Sequence, residues 1–390
     1  MERPTHLRLS DLRGVQRLAN DAVVQLTDLV EAMHHTIASA TLPLGRPPEG
    51  RTGGITGFAY RSVRGATRLV GAGLDAILAG AEAIPGERPS SEQRDALLAA
   101  LNGVFGDHLA ATGSPLALDM RIAAPIAEGD KLVVLVHGLC MNDRQWRRAG
   151  HDHGAALARD LGYTPLYLRY NTGRHISTNG REFADLMEAT LRDRAQPVGR
   201  LAIVGHSMGG LVARSACHYG ALAGHAWVKR LDDLVFLGTP HHGAPLERAG
   251  AMVDFLMQVS PYSAPFARLG RARSAGIGDL SHGHLRDEDW QRGGPSHVPL
   301  PAGIRCHAVA ASLQQRPAAR GARIRGDGLV PVASALGQHP AADRSLRIPA
   351  GHRWVAHGTG HFDLLSRAEV YERLRDWLAK PSRRGVKEAR

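Results

Sequence analysis

A chain of 390 residues with 43% hydrophobic and 22% charged residues reads as a soluble globular protein, large enough for one big domain plus an appendage, and neither disordered nor fibrous. Its formal charge of +11 is carried mainly by arginines, scattered rather than gathered into one aromatic-interleaved stripe, so a basic solvated surface is expected and a nucleic-acid partner is not. Apolar stretches are interrupted by Arg, Asp or Gly well before the roughly 20 residues of a membrane-spanning helix.

Met1-Glu2-Arg3-Pro4 leads into an amphipathic pattern without the apolar core of a secretory signal. Cys140, Cys217 and Cys306 have no paired spacing, which fits a reducing compartment better than a disulfide framework. The expected address is the cytoplasm. From Leu12, apolar residues at Val15, Leu18, Val23, Leu26, Leu29, Val30, Met33 and Ile37 recur mostly at steps of three and four and predict a helix with one apolar stripe. The stretch "TLPLGRPPEGRTGG" ends it. A Gly- and Ala-rich helix follows from about Phe58 to Ala83, where Gly65, Gly71, Gly73 and Gly80 would permit close packing but weaken continuity. A third helix is expected behind a Ser90/Gln93 capping box, carrying Leu97, Leu101, Val104, Phe105 and Leu109. Residues 1–115 thus read as an all-helical region without chemistry of its own.

The pattern then changes. "LALDMRIA", "KLVVLVHG", "TPLYLRYN", "LAIVGHS", "LDDLVFLGTP" and "IRCHAVAAS" read as strands, and helical patterns lie around 145–161, 180–194 and 211–222. Alternation at this spacing predicts an α/β domain over 116–380 with a mainly parallel sheet and helices on both faces. Apolar residues Met252, Val253, Phe255, Leu256, Met257 and Val259 mark an insertion at about 245–299, suited to a helical cap or lid over the site. Residues 381–390 form a basic tail.

Within "LAIVGHSMGGLVARSA", Gly205-His206-Ser207-Met208-Gly209 has the G-x-S-x-G form, in which a strand turns abruptly into a helix and one side chain projects above the sheet edge. Glycines make the turn sterically accessible, and the helix N-terminus behind it favours developing negative charge. This context resembles the α/β-hydrolase superfamily, and within it the serine lipases and esterases, over roughly Leu116 to Lys380.

The resemblance implies a covalent acyl-enzyme mechanism without cofactor or metal, and a chain order of nucleophile, acid and base. Ser207 is then the nucleophile. Asp327, bracketed by glycines in "RGDGLVPVASA", resembles the acid position, with Asp343 and Asp233 as rivals. His361 in "HGTGHFDLLS", expected after a last strand "RSLRIPA", resembles the base, with His357 and His352 as competitors. Asp363 would support that loop by a hydrogen bond. Some bacterial lipases bind calcium two residues after the histidine, but no second carboxylate is identifiable and no metal is expected. The oxyanion donors would be the N–H groups of Met208 and Leu139, the latter in "LVHGLCMND", where His137 and Gly138 support the loop and Cys140 stands beside the hole. His206 flanks the nucleophile, and Thr239, Pro240 and His241 in "FLGTPHHGAPL" would line the pocket. Neither His241-His242 nor "HDH" at 151–153 makes a convincing metal site, the latter because a helix would splay its histidines. Low aromatic content, 5%, argues against a carbohydrate groove and leaves acyl or lipid esters as the substrate class.

Two other readings stay open at this level. An acyltransferase would use the same triad with an alcohol in place of water, and a docking protein would use residues 1–115 to contact a membrane surface or a partner.

Overall fold

The computed structural model describes residues 8–39, 50–82, 90–123, 129–194, 196–244, 259, 274–294, 296–315 and 326–381. They fall into two compact units, Met1–Arg94 with Thr112–Leu116, and Asp95–Ala111 with Ala117–Arg390.

In the first unit, α1 (Leu9–Ser39) and α2 (Gly54–Glu82) pack against each other. Arg13 Nε and Arg17 Nη2 both donate to the Asp75 carboxylate at 2.7 Å, and Arg64 donates to Asp28 at 2.9 Å and to Glu31. Despite its glycines α2 is one continuous helix. Only one of the four expected small contacts is used. A Cβ at Gly71 would fall 1.3 Å from Asn20 Nδ2, whereas Gly65, Gly73 and Gly80 face open space. Much of the α1 apolar series also remains exposed, Leu26 at 61% and Leu29 at 57% among them, together with Leu69 and Ile77 on α2.

The third helix, α3 (Glu92–Ala111), corrects two expectations. Its cap is Ser91, whose Oγ accepts the Arg94 N–H at 3.2 Å, and not the Ser90/Gln93 box. From Asp95 onward it belongs to the sheet-containing unit rather than to a helical region ending at 115. The reason is packing on several sides. Ala99, Ala100 and Leu101 are buried, a Cβ on Gly103 would meet Cys140 Sγ at 2.1 Å, and Asp95 accepts from Arg169 Nη2 at 3.1 Å.

The second unit is built on seven strands: β1 (Arg121–Ile122), β2 (Lys131–Val136), β3 (Thr164–Arg169), β4 (Arg200–His206), β5 (Leu231–Leu237), β6 (Arg305–Ser312) and β7 (Arg353–His357). Their order is β1-β3-β2-β4-β5-β6-β7, and every pairing is parallel except β1 with β3. β2, β4, β5 and β6 are buried almost throughout, which explains their near-continuous apolar sequences. The chain passes from β2 through α4 (His153–Leu161) to β3, then reverses through α5 (Ile176–Arg192) to β4 and α6 (Met208–Leu222) to β5. Right-handed crossovers in opposite directions place α4 on one face and α5 and α6 on the other. The C-terminal helix Ala368–Leu378 joins α4, with Tyr163 Oη donating to the Leu378 carbonyl at 3.2 Å.

Three boundaries differ from the sequence reading, and a fourth expectation falls on residues that are not described. The first strand shrinks to Arg121–Ile122 at the sheet edge. The 145–161 segment is a 3-10 turn at Asp143–Trp146 followed, after a bridge between Arg148 and His151, by α4. "RSLRIPA" is irregular, and the last strand is Arg353–His357. Most of the expected cap, 245–258 and 260–273, lies outside the described residues, which resume with the helix Ala275–His282. No helix among the described residues is long and apolar enough to cross a membrane.

At the N-terminal ends of the strands, Asp233 is fully buried between Arg305 (2.7 Å), Arg200 (3.0 Å) and His307 (3.1 Å). Burial alone would raise its carboxyl, but hydrogen bonds from Arg305 and His307 outweigh this and lower it to about 2. A depressed folded-state value contributes stability above the ordinary range near 3.8, lost as pH falls through about 2. Asp233→Asn should destabilise by about 3–5 kcal/mol, because two arginines are left without their shared counter-charge. Urea titration at pH 7 measures this, and the deficit should shrink toward pH 2.

Candidate active site

β4 ends at His206 and α6 begins at Met208, so Ser207 alone makes the turn. Its backbone sits at φ 54° and ψ −124°, one of three non-glycine residues with positive φ among the described residues. A non-glycine residue persists there only when its surroundings hold it. Here the Ser207 N–H donates to the Leu237 carbonyl at 2.8 Å and its carbonyl accepts from Gly210 N–H at 3.1 Å.

The surrounding glycines are required by distance. A Cβ at Gly205 would lie 2.6 Å from Gly210 Cα, one at Gly209 2.1 Å from the Val136 carbonyl oxygen, and one at Gly210 2.0 Å from Thr239 Oγ1. Strand, turn and helix approach each other closely, and Ser207 is left only 3% exposed at the C-terminal edge of the sheet. Gly209→Ala should therefore lose about 3 kcal/mol or more in a chemical unfolding experiment, since the obstacle is backbone on β2.

The loop after β2 lies against this turn. A Cβ on Gly138 would be 3.1 Å from Ser207 Cβ and 3.2 Å from His206 Nδ1. The Cys140 N–H is taken by Thr172 Oγ1 at 3.1 Å, whereas the N–H groups of Leu139 and Met208 make no hydrogen bond among the described residues. His137 is stacked on Tyr170 at 4.4 Å, and the Tyr170 hydroxyl donates to the His137 carbonyl at 2.7 Å. Burial lowers His137 to about 4, so it is neutral at pH 7. Burial also pushes the Cys140 thiol far above its usual range, which leaves it an unreactive packing group.

His361 stands at the start of a 3-10 turn, Phe362–Leu365, after β7. Its Nδ1 donates to Asp327 Oδ2 at 2.8 Å, and both side chains are 1% exposed. Asp327 Oδ1 accepts the N–H groups of Leu329 (3.0 Å) and Val330 (2.8 Å), which fix the carboxylate in the loop after β6. His361 Nε2 is buried with no hydrogen-bond partner among the described residues. Its ring lies 4.8 Å from that of His206, the residue before the serine, and His206 Nε2 donates to the His361 carbonyl at 3.2 Å. Gly238, at φ 60°, lets the ring approach β5: a Cβ there would be 3.1 Å from His361 Cε1. Asp363 Oδ2 accepts the Gly360 N–H at 2.9 Å.

With this geometry in place, the sequence can be compared with known proteins. Residues 128–292 match the PGAP1-like alpha/beta domain. Among solved structures, the mature lipase BlEst2 of Bacillus licheniformis is 19% identical, with 67% of this chain and 98% of that one covered and a TM-score of 0.42. The type II thioesterase BorB of the borrelidin biosynthetic cluster is 17% identical over 68% of this chain and 97% of that one, with a TM-score of 0.38. Phospholipase PlaB of Legionella pneumophila is 18% identical over 53% of this chain and 46% of that one, at 0.34. No curated protein matches the sequence significantly.

Three of the rival residues sit at the far edge of the sheet, whereas His357 is at the C-terminal edge. His352 Nδ1 lies 3.2 Å from the Cys306 carbonyl, near the start of β6 and so at the edge opposite Ser207, and Asp233 belongs to the ion cluster there. Asp343 is exposed on the short turn Ala342–Arg344. His357 ends β7 opposite Ser312. A cavity of about 640 Å³ also opens at that far edge, beside Arg305, Cys306 and His352. Thr239 is buried against Gly210, and His241 places Nδ1 3.2 Å from Arg214 Nη1. No group of three metal-ligating side chains is present among the described residues.

Two supports escaped the sequence reading. His151 lies outside α4, so His151 Nε2 and His153 Nδ1 meet at 2.8 Å instead of splaying apart, and His153 Nε2 donates to the Leu364 carbonyl at 2.9 Å, bracing the turn behind His361. The second is Gly238, whose signal was the glycine directly after an apolar strand.

Proposed function

We propose that the protein is a serine hydrolase cleaving carboxylic esters of acyl or lipid type through an acyl-enzyme, with Ser207 as nucleophile, His361 as general base and acid, and Asp327 as its orienter. The observation that carries the reading is the buried His361 ring, which has one nitrogen committed to Asp327 and the other unpartnered, 4.8 Å from the ring of the residue that precedes a backbone-strained serine.

A serine hydroxyl is a weak nucleophile until a base takes its proton in the transition state. His361 Nε2 would accept that proton as Oγ attacks the acyl carbonyl, and Asp327 would stabilise the imidazolium through the Nδ1–H bond. The negative oxygen of the tetrahedral intermediate would be held by the N–H groups of Leu139 and Met208, both free to donate. His361 then returns the proton to the leaving alcohol. Water, activated by the same nitrogen, releases the acid.

Hydrolysis of p-nitrophenyl esters from acetate to palmitate, with fluorophosphonate labelling of the intact chain, tests the assignment. Turnover and labelling of Ser207 support it. Labelling without turnover would favour acyl transfer to another alcohol, and neither signal from a folded chain would remove the hydrolase reading.

The exposed apolar residues of α1 and α2, with Arg61 and Arg68 on α2, favour a peripheral contact with an anionic membrane surface in addition. Leu26→Glu with Leu69→Glu should abolish pelleting with phosphatidylglycerol vesicles and leave hydrolysis of soluble esters unchanged. Equal pelleting of both proteins would overturn that contact.

A further inference from the structure

The loop after β2, which carries Leu139, is gripped by a helix that lies before the matched segment 128–292. The Met141 N–H donates to the Gly138 carbonyl at 3.3 Å and closes a four-residue turn, whose third residue, Cys140, has φ 58°. That is the pattern of a type II turn, where glycine is the usual third residue. Cys140 is fully buried, and its side chain is seated against α3. A Cβ added to Gly103 would lie 2.1 Å from Cys140 Sγ, 3.1 Å from its Cβ and 3.0 Å from its Cα, so the missing side chain at 103 is the socket into which Cys140 fits. The thiol donates to the Ala100 carbonyl, about one turn earlier on α3, at 3.9 Å.

Two further anchors run from the same helix. Asp95 pairs with Arg144, in the 3-10 turn that follows the loop, at 3.1 Å, and with Arg169 at the end of β3 at 3.1 Å. The other passes through Thr172, whose Oγ1 accepts the Cys140 N–H at 3.1 Å. Thr172 stands between two residues fixed on α3: Asn171 Nδ2 donates to the Gly106 carbonyl at 2.8 Å, and a Cβ at Gly173 would meet the Asn102 carbonyl oxygen at 2.1 Å. The side chain of Cys140, its N–H and the turn downstream of the loop are thus all positioned by one helix.

We infer that α3 is the positioning element of the oxyanion hole, with Gly103 and Cys140 as the socket and peg that hold the Gly138–Met141 turn and so set where the Leu139 N–H points. The inference rests on the hydrolase reading, in which that N–H is a donor to the developing oxyanion. Such a donor is effective because it is aimed beforehand and needs no reorientation during the reaction. A cysteine at positive φ stays there only under constraint. Turning it to negative φ would turn over the Leu139–Cys140 peptide, take its N–H from Thr172 and shift the adjoining Leu139 amide. The constraint comes from residues 95–111, so a segment outside the matched domain contributes to the site. Gly103 acts as a positioning residue, having no side chain to offer.

Gly103→Ala in the full chain is the test. Alanine is a better helix former than glycine, so any loss reports the collision with Cys140 and not the helix. The expected kcat for p-nitrophenyl butyrate is about 30- to 100-fold lower, with KM within about twofold of wild type. The inhibition constant of a trifluoromethyl ketone, which forms the oxyanion adduct, should rise by a similar factor. A purely structural fault would lower the melting temperature without changing the affinity of the folded protein for the ketone. Adding Cys140→Gly, which removes the peg and accepts positive φ, should bring both quantities back to within about threefold of wild type. Should Gly103→Ala fail to fold, Cys140→Ala, which shortens the peg without a collision, should lower kcat about tenfold at unchanged KM. Wild-type kcat and ketone affinity in the folded variants, or a loss that Cys140→Gly does not relieve, would overturn the positioning role and leave the hydrolase reading intact. A wild-type chain with neither turnover nor fluorophosphonate labelling would instead remove the hydrolase reading, and the positioning role with it.

Discussion

Ser207→Ala should lower kcat for p-nitrophenyl butyrate by about 10⁴-fold or more and abolish fluorophosphonate labelling, with residual turnover from the oxyanion donors and substrate binding alone. The change removes the hydroxyl without altering the turn, because the Ser207 backbone bonds to Leu237 and Gly210 do not involve the side chain. Its backbone conformation supplies a second expectation. At φ 54° a residue with a Cβ is strained by about 1–3 kcal/mol, so Ser207→Gly should be as inactive as Ser207→Ala yet melt several degrees higher. Strain held for function predicts that inactivity and added stability appear together. Labelling retained in Ser207→Ala would put the nucleophile elsewhere, and a Ser207→Gly no more stable than wild type would remove the strain argument.

Asp327→Asn is the second large effect, about 10⁴-fold in kcat with little loss of substrate binding. The Asp327 carboxylate has two separable duties, one oxygen on His361 Nδ1 and the other on the loop amides of Leu329 and Val330. Asparagine can keep the loop amides through its carbonyl oxygen while presenting an NH₂ group to Nδ1. The imidazole must then accept there and carry its proton on Nε2, the wrong nitrogen for a base facing a hydroxyl. Fluorophosphonate labelling should slow in proportion, with a melting temperature near that of the wild type. Asp327→Ala should lose the activity and also loosen the loop, lowering the melting temperature. A loss below about tenfold for Asp327→Asn would mean that another acid orients His361, with Asp363 the nearest in sequence.

The strands that carry the site were legible because burial on both faces demands continuous apolar runs, as in "KLVVLV" and "LAIVGH". Ser207 was legible for a related reason: the close approaches at Gly205, Gly209 and Gly210 admit no side chain, so the turn leaves its mark in the sequence. The edge elements were not. β1 is two residues long and β7 only partly buried, so neither has a pattern that separates it from a loop, and "RSLRIPA" looks more strand-like than the strand that follows it.

Local sequence thus determined the order of α and β elements and the position of the sharp turn, because each is written in periodicity or in glycine, whereas Asp327 and His361 became candidates only through the family resemblance. Tertiary structure alone decided the rest. It assigned α3 from Asp95 onward to the sheet-containing unit, brought Asp327 to His361 across 34 residues, and placed His352 at the opposite edge. These outcomes depend on which distant groups share a small buried space, and the strength of a charge or hydrogen bond there is set by the exclusion of water, a property that no single stretch of chain possesses.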